Sequence, residues 1–354
     1  MQYADFFQYK QYSLPAEEKK KLLLPHLLRL HKLHFEKSEA YRKVCLALFN
    51  NPIHTIESLP YLPVSIFKNH EVKSIADDEV FKVLTSSGTT GTVPSRIFLD
   101  KNTAALQSKA LSNIMQFVLG PERLPMLIID TVDIIKNRAS YSARGAGILG
   151  MSVFGKAHFY LLDAGMKVNT AGLKKFLNKY NGQPMLLFGF TFMVWQYLYE
   201  SSIQADLSKA ILIHSGGWKK MQEKALDNAA FKQKLKEKFG LEKIFNFYGM
   251  VEQVGSVFLE CEQGCLHTPN FADIIIRDPY DFSVVKNGRQ GLIQTLSILP
   301  ESYPGHSLLT EDIGEVTGED DCPCGRKGKY FKIYGRMKKA ELRGCSDVLA
   351  VTSE

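Results

Sequence analysis

Short apolar runs that alternate with longer amphipathic stretches constrain the fold of this chain more than any other feature of its sequence. The runs contain no lysine or arginine and occupy residues 126–129, 186–190, 211–214, 244–247 and 274–276. A short run that is apolar throughout is typical of a strand buried on both faces, and the stretches between the runs are long enough for helices. This alternation predicts an α/β fold with a largely buried sheet.

The first sixty residues have a different pattern. Between about Pro15 and Phe49, leucines recur at three- and four-residue intervals among lysine, glutamate and histidine, which predicts amphipathic helix. Pro60 and Pro63 end this pattern because proline lacks an amide donor. We therefore predict a helical region over residues 1–60, an α/β domain over residues 61–335 and a short C-terminal tail over residues 336–354.

The amino-acid composition excludes few functional classes. The chain has 354 residues, of which 45% are hydrophobic, and a formal net charge of +7, which suits anionic small molecules, acidic partners and nucleic acid about equally. No apolar run reaches the roughly 18 to 20 residues that cross a bilayer, and the first residues lack a signal-peptide pattern. We expect a cytoplasmic protein with no membrane span, and no motif points to nucleic acid.

A loop rich in glycine and hydroxyl side chains joins two predicted strands, residues 80–84 and 96–99. Its sequence, TSSGTTGT, covers residues 85–92. Glycines let the backbone approach an anion closely, while amides and hydroxyls donate hydrogen bonds to phosphate oxygens. The loop lacks the lysine ending of a Walker loop. Taken by itself, it also fits a flexible polar hairpin.

The loop resembles the phosphate loop of the adenylate-forming superfamily, whose members join a carboxylate to AMP. Further motifs follow in the order of that family. Residues 215–218 resemble the turn that meets adenine, 247–252 the Tyr-Gly-x-Thr-Glu motif, 310–312 the ribose-binding segment and 335–336 the hinge. The resemblance implies ATP and Mg²⁺ as cofactors. It assigns nucleotide binding to Ser86, Ser87, Gly88, Thr89, Thr90, Gly91, Gly216, Gly217, Tyr248, Gly249, Glu252, Asp312 and Arg336.

The side chains at these positions suit the implied roles. Tyr248 can stack on adenine, and Glu252 offers the hard oxygen ligand that Mg²⁺ prefers. Asp312 can accept hydrogen bonds from two ribose hydroxyls, and Arg336 can donate to ribose or phosphate. Val251 stands where the family usually has threonine, which removes a hydroxyl contact to the α-phosphate.

The last residues suggest a particular branch of this superfamily. Most adenylate-forming enzymes carry a further C-terminal domain, whereas 18 residues follow Arg336 here. They include Cys345, which lies among lysine and arginine side chains that favour the thiolate. This tail and three other segments resemble LuxE-type acyl-protein synthetases, from about residue 55 to the end: residues 142–145, 188–195 and 214–220. The expected fold is an adenylate-forming α/β domain with a helical N-terminal region and a truncated lid.

The LuxE resemblance implies a function. A fatty acid is adenylated with ATP and is then captured as a thioester on the catalytic Cys345. An acyl-CoA-reductase-type partner, LuxC-like, accepts the acyl group and makes an aldehyde with NADPH, as in bacterial bioluminescence. The resemblance does not set the chain length of the acid. Four aromatic side chains fit either an acyl pocket or, more commonly, a core: Phe188, Phe190, Phe192 and Trp195.

A second cluster of cysteines suggests a metal site. Cys261 and His267 follow the tyrosine–glycine motif, and Cys322 and Cys324 precede the hinge. Three thiols and one imidazole complete a tetrahedral Zn²⁺ site, and a similar set occurs in phenylacetate-CoA-ligase-like relatives. We predict a structural Zn²⁺ with these four ligands. Cys265 is an alternative to His267, and a set of ordinary buried thiols is the alternative to a metal.

Two other functions stay open at this point. A CoA-dependent carboxylate ligase fits the cysteine set, since phenylacetate-CoA-ligase-like proteins share it. A nucleotide-binding scaffold without enzymatic activity fits the truncated lid and the positive charge. The three hypotheses predict different products, namely acylated protein, acyl-CoA or none.

Overall fold

The computed structural model describes residues 4–86, 93–135, 143–180, 182–253 and 255–337. The α-helices are α1 (Ala4–Gln8), α2 (Ala16–Lys37), α3 (Glu39–Leu48), α4 (Ile66–Asn69), α5 (Lys101–Leu119), α6 (Ala143–Ser152), α7 (Thr170–Lys179), α8 (Thr191–Met193) and α9 (Asn228–Phe239). A single π-helical turn, Val194–Tyr199, continues α8.

The strands alternate with these helices in the middle of the chain and follow one another at its end. They are β1 (Leu62–Pro63), β2 (Lys82–Thr85), β3 (Arg96–Leu99), β4 (Leu124–Thr131), β5 (Gly155–Leu162), β6 (Met185–Phe190), β7 (Ala210–Ser215), β8 (Lys243–Tyr248), β9 (Phe258–Glu260), β10 (Leu266–His267), β11 (Ala272–Arg277), β12 (Gly291–Ser297), β13 (Ser307–Glu319) and β14 (Lys329–Arg336).

Polar caps set the ends of the helices that flank the middle strands. Asp100 accepts a hydrogen bond from the Thr103 amide (2.7 Å) where α5 begins, and Asp227 accepts one from the Ala230 amide (2.8 Å) where α9 begins. These bonds satisfy amides that have no partner within the helix. Helix α9 ends at Gly240, whose φ of 69° lies in the left-handed region that glycine tolerates.

Twelve strands of the described residues form one large sheet with two halves. Its order is β11-β12-β13-β14-β10-β9-β8-β7-β6-β4-β5, and β1 pairs with β13. We call β4 to β8 the parallel arm, because every pairing within it is parallel. We call β9 to β14 the antiparallel arm, since its pairings are antiparallel. Strands β2 and β3 form a separate hairpin.

Helices cover both faces of the parallel arm. Alternate residues of β4 point to opposite faces: Ile128 packs in one hydrophobic cluster with α5 and α6, whereas Leu127 and Ile129 pack in another with α7 and α9. Strands buried in this way must be apolar throughout, which is why the runs in the sequence are continuous. The prediction of an α/β fold with a largely buried sheet is confirmed.

The N-terminal helices pack against the antiparallel arm. Leu23 and Leu27 of α2 lie fully buried in the same cluster as Ile274 of β11. The predicted helical stretch is divided at Ser38, where the backbone is extended. The division of the chain into domains at residues 60 and 335 stays a prediction. In the part of the chain that the structure describes, no helix has the length and apolar character needed to cross a membrane.

Candidate active site and cysteine–histidine cluster

The carboxyl ends of the parallel strands bring the predicted nucleotide-binding segments together. Phe190 at the end of β6 lies opposite Ser215 of β7, which in turn lies opposite Phe247 of β8. Gly216 and Gly217 directly follow β7, and Tyr248 ends β8. Ligands of parallel α/β sheets bind at this edge, so the site lies where such folds bind small molecules.

Buried hydrogen bonds hold the turn after β7 in place. The Thr191 hydroxyl donates to the Gly216 carbonyl (2.6 Å) and lies 3.0 Å from Nδ1 of His214. Burial lowers the pKa of His214 to about 3, so the ring is neutral near pH 7 and its Nδ1–H donates to the hydroxyl. Gly216 has a φ of 78°, which favours glycine. Sequence reasoning did not single out Thr191, although its position just after β6 is a usable signal.

Three of the predicted nucleotide-binding side chains contact one another. The Tyr248 hydroxyl donates to Oδ2 of Asp312 (2.7 Å), and Nε of Arg336 lies 3.6 Å from Oδ1. Asp312 and Arg336 are register partners on β13 and β14. Burial and the nearby Asp312 carboxylate raise the pKa of Tyr248 well above its ordinary value, so the phenol stays protonated. The contact joins residues from both arms of the sheet.

The remaining described residues of the predicted site lie in short turns. Glu252 is 8% exposed, in a 3₁₀ turn that follows Gly249. Ser86 closes the base of the phosphate loop: its amide donates to the Ser95 carbonyl (3.1 Å), and its hydroxyl accepts from the Ser95 amide (2.8 Å). The other loop positions and the predicted catalytic cysteine lie outside the described residues: Ser87, Gly88, Thr89, Thr90, Gly91 and Cys345.

The predicted aromatic pocket is largely core. Phe188 is fully buried, and Trp195 is 7% exposed and stacks on Tyr199 with a centroid distance of 4.1 Å. Phe190 and Phe192 are only partly buried, and Phe190 lies at the carboxyl edge. A Cβ atom at Gly216 would lie 3.1 Å from its ring. Among these aromatics, Phe190 is therefore the one that borders the predicted nucleotide turn.

The four predicted metal ligands lie close together, between the β9–β10 hairpin and the turn before β14. Ligand atoms of Cys261, His267, Cys322 and Cys324 all lie within 4.8 Å of one another. The sulfur atoms of Cys261 and Cys322 are 3.9 Å apart, and Nε2 of His267 is 3.4 Å from the sulfur of Cys324. A tetrahedron with metal–sulfur bonds of about 2.3 Å has sulfur–sulfur edges of about 3.8 Å. The donor set and spacing therefore fit Zn²⁺.

The same geometry distinguishes His267 from Cys265. Cys265 is buried beside the cluster, but its sulfur lies against the Gln263 carbonyl at 3.9 Å and is not one of the converging ligand atoms. His267 lies in β10, opposite Tyr330 of β14. This strand pairing places the imidazole beside Cys324.

The cluster also joins distant parts of the chain. Arg326 donates to the carbonyls of Leu259 and Glu260 (3.2 and 3.1 Å), while the Lys327 amide donates to the Tyr12 carbonyl (2.8 Å). The segment before α2, the β9–β10 hairpin and the turn before β14 are thus fastened around the four ligands.

Comparison with known proteins decides the family. The model of the family described as "Acyl-protein synthetase, LuxE" matches residues 4–352. The chain belongs to the LuxE family. The prediction that it is an adenylate-forming enzyme of this kind is confirmed.

Curated relatives agree with this LuxE assignment. The long-chain-fatty-acid–luciferin-component ligase of Aliivibrio fischeri is 25% identical over 368 residues, which cover 96% of this chain and 91% of the relative. The ligase of the same name from Vibrio harveyi is 24% identical over 363 residues, with 95% and 89% covered.

Solved structures show the fold of this LuxE family member. An open conformation of 2-hydroxyisobutyryl-CoA ligase in complex with 2-HIB-AMP and CoA superposes with a TM-score of 0.68 at 18% identity, over 94% of this chain and 78% of that one. ATP-bound MatB from Rhodopseudomonas palustris gives a TM-score of 0.51 at 16% identity, over 74% and 49%. The predicted adenylate-forming fold is confirmed.

Proposed function

We propose that this LuxE family member activates a fatty acid with ATP and Mg²⁺ and then acylates its own Cys345. The observation that carries the proposal is the contact of Asp312 with both Tyr248 and Arg336, beside the Gly216 turn. These side chains supply an aromatic face, a carboxylate for ribose hydroxyls and a cation, which together suit an adenosine nucleotide.

The first step forms an acyl-adenylate. One oxygen of the acid attacks the α-phosphorus of ATP, the bond from that phosphorus to the β-phosphate oxygen breaks, and pyrophosphate leaves. Bound Mg²⁺ neutralises the charge on the leaving group. The buried Glu252 is the residue we assign to hold this ion, since hard carboxylate oxygens suit it.

The second step transfers the acyl group to sulfur. The Cys345 thiolate attacks the acyl carbon, the carbon–oxygen bond to AMP breaks, and AMP leaves with the electron pair. Eight residues lie between Arg336 and Cys345, and the nine residue steps from one to the other span up to about 30 Å when extended. The strands that carry the site are spaced by about 4.8 Å, so this tether is long enough to reach across the site.

We infer the acid substrate and the protein that accepts the acyl group from the family of the chain. The curated relatives are named for a long-chain fatty acid and a luciferin component, and we extend the first term to this chain. An acyl-CoA-reductase-type partner of the LuxC kind would accept the acyl group from Cys345. The neutral, partly buried Phe190 at the site edge is consistent with an apolar substrate.

Intact-mass measurement after incubation with ATP, Mg²⁺ and palmitate tests the proposal. We expect one acyl adduct that hydroxylamine removes and that Cys345→Ala abolishes. Cys45→Ala, which removes a buried thiol of another cluster, is the matched control and should keep the adduct. An adduct that persists in Cys345→Ala contradicts the proposal. Acyl-CoA formation undiminished in that variant would instead favour a CoA ligase.

We also propose that the cysteine–histidine cluster holds a structural Zn²⁺. All four ligands come from the protein, which leaves no open coordination position for chemistry. The ion would add its binding free energy to the fold by joining β9, β10 and the turn before β14.

A further inference from the structure

An ion pair lies at the carboxyl edge on the side away from the nucleotide-binding residues. Ile128 of β4 pairs with Phe188 of β6, so Asp130 is level with Phe190. Strand β6 separates β4 from β7, and strands are spaced by about 4.8 Å. Asp130 therefore lies roughly 10 Å from the turn after β7, opposite in direction to Tyr248.

Two contacts fix the Asp130 carboxylate. Its Oδ1 accepts a hydrogen bond from the Thr131 amide (2.7 Å), and Oδ2 lies 2.8 Å from Nε of Arg144 in the first turn of α6. The Asp130 side chain is 2% exposed and that of Arg144 is 23% exposed. The contact of Nε is an ion pair without hydrogen-bond geometry, and it holds the guanidinium against a buried carboxylate that a backbone amide keeps in place.

Within the described residues, the terminal nitrogens of Arg144 make one weak contact. Nη1 lies 4.0 Å from the sulfur of Met193, and a thioether is a weak acceptor. Among the described residues, Asp130 is the only ion-pair partner of Arg144. A guanidinium has five N–H donors and can bind a carboxylate through two parallel hydrogen bonds. The Arg144 guanidinium thus pairs with the Asp130 carboxylate and can bind a second anion through its terminal nitrogens.

An aromatic ring lies between α6 and the turn after β7. One turn further along α6, a Cβ atom at Gly147 would lie 3.3 Å from the Phe190 ring, and a Cβ atom at Gly216 would lie 3.1 Å from the same ring. The Phe190 ring therefore bridges α6 and the nucleotide turn. A molecule with one anionic end and an apolar body fits this surface better than a polyphosphate, which requires several cations.

We propose that Arg144, oriented by Asp130, binds the carboxylate of the acid substrate beside the α-phosphate of ATP. This inference rests on the proposed adenylation activity. Nη atoms hold one carboxylate oxygen, and the other faces the phosphorus. The apolar body of the acid lies along Phe190. Arg144 is then a substrate-binding residue, and Asp130 is its positioning residue.

Carboxylate-dependent pyrophosphate exchange with the full chain tests the proposal. Losing a charged hydrogen bond raises a KM by roughly tenfold to a hundredfold, so Arg144→Ala should raise the KM for palmitate by that factor and leave the KM for ATP within about twofold. Arg144→Lys should recover part of the loss. Arg289→Ala removes an exposed arginine far from the edge and should change neither constant.

A binding measurement separates this inference from the proposed function. Without ATP, wild type should bind palmitate more tightly than hexadecanol, and Arg144→Ala should bind the two equally. If wild type adenylates no acid, the proposed function fails, and the acid-over-alcohol preference still tests Arg144. An unchanged palmitate KM in Arg144→Ala, or a rise in the ATP KM instead, overturns the inference. If Arg144→Ala does not fold, an unchanged palmitate KM in Arg144→Lys overturns it.

Discussion

The two arms of the large sheet place their polar side chains in different positions. In the parallel arm, the strand interiors are apolar and the polar groups lie at the carboxyl ends, as Asp130 and Ser215 do. In the antiparallel arm, buried polar side chains in and beside the strands bond to one another. Gln294 of β12 donates to Ser307 of β13 (2.9 Å), and Ser256, just before β9, donates to Ser297 of β12 (2.6 Å). The parallel arm places its polar groups at the carboxyl edge, whereas the antiparallel arm brings Asp312 and Arg336 to the candidate site and also bonds polar side chains to one another in its interior.

A buried carboxylate of the antiparallel arm lies between two lysines. Asp273 of β11 lies 3.7 Å from Nζ of Lys19 and 3.5 Å from Nζ of Lys329, and all three are buried. Burial alone would raise the pKa of Asp273, but the two ammonium groups outweigh it and hold the pKa below its ordinary value. Burial lowers the pKa of Lys19.

Asp273→Asn should have the largest effect on stability. The substitution leaves two buried ammonium groups without a carboxylate, which costs about 3 to 5 kcal/mol of unfolding free energy. Urea unfolding measures this loss. Asp281→Asn, at an exposed aspartate in the loop after β11, is the control and should unfold like wild type. A loss below about 1 kcal/mol for Asp273→Asn would remove the distinction between the two arms.

Removing the proposed Zn²⁺ should also destabilise the antiparallel arm. A ligand present at 100 times its Kd stabilises a fold by about 2.7 kcal/mol, so chelation or Cys322→Ser should lower the unfolding free energy by about that amount. Protein purified without added metal should contain about one equivalent of zinc. Cys45→Ser, at a buried thiol outside the cluster, should retain it. A zinc content near zero with unchanged melting in chelator would reject the metal site.

Acid should act on both arms alike. Burial lowers the pKa of His34, which bonds to Ser74, and of His214 to about 3. Between pH 6.5 and 3 the unfolded chain binds protons that the folded chain excludes, so stability is full above pH 6.5 and falls as the pH decreases. Each histidine contributes up to about 1.4 kcal/mol per pH unit. His34→Gln and His214→Gln should each flatten the pH dependence by one proton, and equal slopes in wild type and both variants would contradict this.

Tyr248→Phe should have the smallest effect on the fold and a selective effect on the site. It removes the hydroxyl that donates to Asp312, a bond worth about 0.5 to 1.5 kcal/mol, so the KM for ATP should rise roughly twofold to tenfold. Tyr334→Phe removes an exposed tyrosine hydroxyl that donates to Glu315 (2.9 Å) on the same strand pair and should leave the KM unchanged. Equal effects of the two substitutions would place nucleotide binding elsewhere.

The sequence predicted the parallel arm well because its strands are buried on both faces. The apolar runs at 126–129, 186–190, 211–214 and 244–247 lie in β4, β6, β7 and β8. The antiparallel arm was harder to predict. The run at 274–276 marks β11. Other strands of this arm carry buried polar residues such as Gln294 of β12, whose partner lies on another strand, so hydrophobic periodicity does not mark them.

The candidate site was predictable in its residue types but not in its contacts. Tyr248 and Asp312 are 64 positions apart, and only motif order pointed to both. Sequence spacing left His267 and Cys265 as alternatives, because both follow Cys261 closely, and the β10–β14 pairing decides between their positions. Arg144 stood in a segment resembling the family, but its pairing with Asp130 required the fold.

The fastening of the first helices to the end of the sheet affects how the protein is made. The Ala16 amide donates to Asp320 (3.0 Å), 304 positions along the chain, and Lys19 reaches Asp273. A ribosome adds about 5 to 20 residues per second, so α2 emerges roughly 15 to 60 seconds before its partners. During synthesis its leucine face is therefore made before the strands that cover it in the folded protein.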